Sequence, residues 1–119
     1  MARVRCVTEM GMGVDVHGND QTKAAKRAVS DAIRHSSLGF FRIVGQTAHD
    51  LKIEVLIGVP NPETVDVAAV AAELPYGTVT VRAQHGGLFV PSDGSGRGDP
   101  IIMANAAVLV HLDVDPPAG

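Results

Sequence analysis

The stretch RVRCVTEMGMGVDVHGNDQTKAAKRAVSDAIRH (residues 3–35) changes its hydrophobic period part-way along, and the fold turns on that change. Residues 3–9 alternate polar with apolar types, the period-two pattern of a strand, and Gly11 and Gly13 are read as its end. From Gln21 to His35 the residues Ala24, Ala25, Ala28, Val29, Ala32 and Ile33 recur at helical spacing, while Lys23, Lys26, Arg27, Ser30, Asp31 and Arg34 fall elsewhere. This is an amphipathic helix whose narrow, alanine-rich face suits close packing on a sheet. Asp20 stands at the N-cap position, where its side chain can accept from an unpaired backbone N–H of the first turn. Between strand and helix lies GMGVDVHGND (11–20), with three glycines, two aspartates and a histidine.

The remaining chain repeats the alternation. LKIEVLIGV (51–59) places Leu51, Ile53, Val55, Ile57 and Val59 on one face of a strand. After Pro60, Asn61 is read as the cap of a second helix with Pro62 in its first turn and Val65, Ala68, Ala69 and Ala72 facing inward. TVTVRAQ (78–84) is a half-buried strand, HGG (85–87) a turn and SDGSGRGD (92–99) a loop. Residues 38–50 read as a short strand or irregular link, and 101–114 as a long strand interrupted by Asn105, His111 and Asp113. The order predicts an α+β fold. It is ferredoxin-like or a related two-layer sandwich, with a mixed four- to five-stranded sheet and two helices on one face. Residues 1–115 form one domain and 116–119 a tail. The helices leave the opposite face bare and the last strand is apolar on both sides, so a homo-oligomer built on packed sheets is expected.

Composition narrows the partners. A chain of 119 residues buries roughly two thirds of its unfolded surface, enough for one core. The formal charge is −3, no basic stripe is present, and three Phe and one Tyr offer little surface for stacking bases, which argues against nucleic acid. MARVRCVTEM lacks the apolar run of a signal peptide, and no segment reaches the roughly 18 apolar residues of a membrane span, so no membrane partner and a cytoplasmic location are expected. The single cysteine, Cys6, makes no internal disulfide and reads as a small core hydrophobe.

The glycine-rich segment carries the chemistry. A turn between a strand end and a helix N-terminus offers unpaired N–H groups and the positive end of the helix dipole, which suits an anion or a carbonyl oxygen. Neither G-x-G-x-x-G nor G-K-[ST] spacing is present. In an extended segment Asp15 and His17 point the same way, so the carboxylate can orient the imidazole as a general acid or base, with Lys23 stabilising developing negative charge. Gly11, Gly13, Gly18, Asp20 and Arg27 complete a small-molecule site. Asp15, His17 and Asp20 can alternatively ligate a divalent metal, although no second His or Cys pair supports them, and no cofactor is otherwise expected. Each residue also has a plainer reading: Asp20 as a cap, Gly18 as a positive-φ turn, His17 and Lys23 as solvated side chains. Glu9 either faces the same cleft or lies at a sheet edge. Gly86 and Gly87, after His85, are a second approach of backbone to ligand or a hairpin turn. Asn105 either holds a ligand or satisfies backbone at a subunit interface. The site supports hydrolysis, tautomerisation or cyclisation of a small polar cyclic amide or carboxylate compound. The alternative is a non-catalytic ligand-binding or assembly subunit.

Residues 9–33, EMGMGVDVHGNDQTKAAKRAVSDAI, together with VPNPETVD (59–66), LPYGTVTV (74–81), the glycines at 86 and 87 and NAAV (105–108), resemble a family of short conserved hypothetical bacterial proteins, the Lin-type proteins. The residues carrying the hallmark are Gly11, Gly13, Asp15, His17, Gly18, Asp20, Thr22, Lys23 and Arg27. The family is similar at fold level to single units of ring-opening amidohydrolases such as cyanuric acid hydrolase and barbiturase, and through them to trimeric deaminase-type proteins. That similarity implies a trimer or a multiple of it. It implies little chemistry, because those hydrolases use Ser and Lys pairs and here Ser92 and Ser95 lie in a loop with no lysine beside them.

Overall fold

The computed structural model describes residues 2–34, 52–74, 77–95 and 98–114. Strand β1 (Ala2–Asp15) does not stop at the glycines. It runs through them, because Gly11 and Gly13 stay in register with Ala106 and Ala104 of the last strand. Helix α1 (Gln21–Arg34) follows, then β2 (Lys52–Val59), a 3-10 turn (Pro62–Thr64) and the short helix α2 (Val67–Ala71). Strands β3 (Thr78–His85), β4 (Leu88–Val90) and β5 (Ile101–Val114) complete the chain. The region 38–50, the histidines at 35 and 49 and the tail 116–119 lie outside the described residues.

The sheet order is β1-β5-β2-β3, with β4 on β5 beyond the end of β2. Strand β5 is antiparallel to β1, β2 and β4, whereas β2 and β3 are parallel. Strands β1, β2 and β3 therefore run the same way, joined in turn by α1 and α2, and β5 is inserted between the first two. The result is a two-layer α+β sandwich with a mixed five-stranded sheet.

The core sits between α1 and the centre of the sheet. Ala24, Ala25, Ala28, Val29 and Ala32 of α1 are buried against Ile53, Val55, Ile57 and Val59 of β2 and the even positions Ile102 to Val110 of β5. Alanines on the helix and glycines on β1 let the two backbones approach. A Cβ added at Gly11 would lie 2.4 Å from Ala32 N, and one at Gly13 would lie 2.4 Å from Ala24 O. No side chain fits between these elements. The other sheet face exposes Met10 and Met12, to which β4 adds Leu88 and Val90, while Phe89, opposite Ile102, is exposed on the helix side.

Both helix starts are capped by aspartate. Asp20 Oδ1 accepts from Lys23 N at 3.0 Å, and its carbonyl accepts from Ala24 N, as the sequence predicts. Asp20→Ala is expected to cost about 1 kcal/mol in urea unfolding. The second helix starts later than its sequence reading. Asn61 makes no side-chain cap; Pro62 opens only the 3-10 turn, and Asp66 Oδ1 caps α2 by accepting from Ala69 N at 3.2 Å. The new start rotates the helix, so its buried residue is Val70 in place of the alanines.

Candidate functional site

The polar loop is shorter than the sequence implies, because β1 takes residues 11–15 and leaves only 16–20 between strand and helix. Gly18 and Asn19 have φ of 84° and 53°, so two consecutive left-handed residues turn the chain into α1. Gly18 N–H donates to Asp99 Oδ2 at 2.9 Å, tying this loop to the end of the 92–99 loop.

Asp15 is the organising residue. It is 1% exposed, a buried carboxylate at the last position of β1. Its Oδ2 accepts from Asp20 N at 3.0 Å, and its Oδ1 lies 3.8 Å from both Lys23 Nζ and Arg27 Nη1. Arg27 also donates to the Val14 carbonyl. Burial of a carboxylate is costly unless it is paired and hydrogen-bonded, and this one is both. The two cations are each 48% exposed, so one side of each still meets water.

Beyond Asp15, the exposed side of α1 and the segment from Ala69 of α2 to Glu73 just past its end form a shallow groove lined by Asp20, Thr22, Lys23, Lys26, Arg27, Ser30, Arg34 and Glu73. Lys26 Nζ pairs with Glu73 Oε1 at 3.5 Å. The groove is fixed at one end by cross-links to the 3-10 turn: Asn61 N donates to Gln21 Oε1 at 3.1 Å and Asp66 N to Thr22 Oγ1 at 2.9 Å. With Asp15 included, four cations face three carboxylates there, and an anion or a polarised carbonyl oxygen would balance the excess positive charge.

The residues singled out by sequence separate into four places. Asp15, Asp20, Lys23 and Arg27 come together at the groove. His17 does not join them: its side chain is 83% exposed and Nδ1 lies 3.7 Å from Asp99 Oδ2, so Asp99 is the carboxylate beside the imidazole. The strand ends at Asp15, and the alternation that would have aligned Asp15 with His17 ends with it. Gly11 and Gly13 lie under α1, where their role is packing. Among the described residues no three His, Cys, Asp or Glu side chains converge as a metal site, and Asp15, His17 and Asp20 are not such a group.

Asn105, Gly86 and Gly87 lie elsewhere. Asn105 pairs with Met12 and Gly58 in the sheet and shares a depression with Met10, Leu56, Gln84 and His85 on the face away from α1. Gly87 has φ of 65°, and a Cβ there would lie 2.1 Å from Met103 O, so a turn and a close backbone approach require glycine. In the 92–99 loop, Ser95 hydrogen-bonds Asp93 and holds its carboxyl below the usual carboxylate range.

Residues 5–110 match a family of conserved hypothetical proteins, Lin0512. The chain belongs to this family. No curated protein matches it. The chain is also 39% identical to an FtsZ-like protein of unknown function from Nostoc punctiforme PCC 73102, whose crystal structure was determined at 1.22 Å. The likeness covers 96% of this chain and 99% of that one, with a TM-score of 0.83. No described helix of this Lin0512 protein is long and apolar enough to cross a membrane.

The sequence marks Lys26, Ser30 and Arg34 only as lying off the apolar face of α1, does not single out Glu73, and shows Asp99 only as part of a loop. The signal for the first three was present: with Lys23 and Arg27 they recur three or four apart along α1, on the side away from its alanines. Nothing in the sequence announces Asp99, which lies 82 positions after His17.

Proposed function

We propose that this chain binds a small carboxylate or cyclic-amide compound in the α1 groove and acts on it by acid–base chemistry. The observation that supports this reading is the buried Asp15 carboxylate shared by two half-exposed cations. Asp15 fixes Lys23 and Arg27 in place, and their remaining N–H donors are available to a ligand oxygen. Arg27 offers a planar fork to a carboxylate, and Lys23 stabilises negative charge that develops on a carbonyl oxygen. His17, on the loop that leads into α1 and with Asp99 Oδ2 3.7 Å from its Nδ1, is the imidazole assigned to proton transfer. Hydrolysis, tautomerisation and cyclisation all use such a set, in a cytoplasmic setting.

The reading is tested by thermal unfolding in the presence of succinate or succinimide. At least one is expected to raise the midpoint of the wild-type protein, and Lys23→Ala and Arg27→Ala to abolish that rise while keeping the fold. An equal rise in both variants contradicts the groove as the site. A second reading, a homo-oligomer whose copies cover the open sheet face, is favoured by exposed Met10, Met12, Leu88 and Val90. Met12→Lys is expected to lower the assembly mass in sedimentation if that face is covered.

A further inference from the structure

The two edges of the sheet are finished differently. On β1, Met12 N–H donates to Asp31 Oδ2 at 3.0 Å and the Val14 carbonyl accepts from Arg27, so side chains of α1 occupy edge groups of the strand. The register of β1 against β5 also slips between Arg5 and Val7. Side-chain caps and bulges are ways in which natural sheets keep an edge from pairing with another chain.

The opposite edge, β3, carries neither device among the described residues. Its register with β2 is unbroken from Thr78 to His85, and the strand contains no proline. TVTV (78–81) is β-branched at every position. Its one Arg or Lys, Arg82, is held back along the sheet by Glu54 at 3.2 Å. Val79, Val81 and Ala83 are only half-buried, although Ile53, Val55 and Ile57 beside them in β2 are buried. Among the described elements, only the five-residue α2 and the preceding 3-10 turn pack on this side of β3, and they leave these positions part exposed. An eight-residue strand with one row of backbone donors and acceptors unpaired among the described residues is a template for another strand.

We infer that β3 pairs antiparallel with β3 of a second copy of this chain about a two-fold axis. With Thr80 opposite Thr80, Val79 meets Val81 on the helix face and Thr78 meets Arg82 on the other, so no like charges are opposed. The strand is thus complementary to itself. A second copy accounts for the edge better than a foreign strand, because the isologous contact pairs residues 78–82 of both edges at once and closes the assembly. The joint sheet then ends on the guarded β1 of each copy. The half-buried row of β3 becomes continuous across the seam and gains the cover that α2 does not supply. This contact is separate from the open sheet face and from the groove ligand.

Sedimentation of the full chain over a range of concentrations, with amide hydrogen exchange on the same samples, tests the pairing. A dimer is expected in which every second amide between Thr78 and Arg82 becomes protected as concentration rises. Thr80→Lys, at an exposed position, sets two lysines opposite each other and should weaken association about tenfold with the thermal midpoint little changed. Met12→Lys should leave the β3 protection unchanged. A wild-type chain that stays monomeric overturns the inference, as does fast exchange throughout one row of β3 at every concentration. Association that is lost in Met12→Lys but kept in Thr80→Lys overturns it too.

Discussion

Gly13→Val is expected to yield a chain without a native fold. A Cβ at this position would sit 2.4 Å from both Ala24 O and Ala28 N and 2.6 Å from Arg27 Cβ, and the first two belong to helix backbone that cannot move alone. The substitution must lift α1 from β1. That opens the layer in which Ala24, Ala28 and Val29 are completely buried and breaks the approach of Arg27 to Asp15. Overpacking typically costs about 1–3 kcal/mol when side chains can yield, and more when only backbone can. Total stability of a small domain is about 5–15 kcal/mol, so the loss takes a large part of it. Circular dichroism and dispersion of the amide proton spectrum check the outcome. A native spectrum with an unchanged thermal midpoint would mean that α1 does not rest on the glycines of β1.

Asp15→Ala carries the second largest effect. It removes the acceptor of Asp20 N and the shared partner of Lys23 and Arg27, leaving the start of α1 with an unpaired donor and two cations facing each other across a cavity. Losing one member of a buried hydrogen-bonded set costs about 2–4 kcal/mol, discounted here because both cations still reach water. Asp15→Asn keeps an acceptor for Asp20 N but no charge, so about half that loss is expected, which separates the hydrogen bond from the charge. Urea unfolding of the three proteins measures both. A loss below about 0.5 kcal/mol in Asp15→Ala would put Asp15 among ordinary surface residues.

These two positions also mark where sequence reading succeeded and failed. The alanine spacing of α1, the alternation in β2 and β3, the length of β5 and the Asp20 cap follow from periodicity and capping chemistry, which act locally. The extent of β1 did not follow. Glycine is a strand terminator by propensity, yet at 11 and 13 it is demanded by a helix that arrives only after the chain has turned back. The second helix was displaced for a similar reason: Asn61 and Pro62 form a good local start, but Asp66, tied to Thr22 of α1, provides the one that is used. Strand β4 depends on its pairing with Ile101–Met103, a contact across the sheet that three residues cannot signal.

The site divides along the same line. Asp20, Lys23 and Arg27 lie in the first turns of one helix, and Asp15 precedes them closely enough for sequence to group all four. His17 was grouped with them on the assumption that the extended chain continued. It stops at Asp15, and the imidazole turns to Asp99. Asn105, which stands out in sequence by interrupting an apolar strand, faces away from Ala104 and Ala106 by alternation along β5 and shares its depression with Gly86.

The most direct test of the groove is a nitrogen-detected NMR titration of the full chain with succinate, followed at Lys23 Nζ and the Arg27 guanidinium. Saturable shifts are expected at these two groups, with smaller ones at Arg34 and Lys26, and those at Arg27 are expected to disappear in Lys23→Ala. Shifts that grow linearly and equally at every lysine, including Lys52 on β2, would show only bulk charge screening and would contradict a site organised by Asp15.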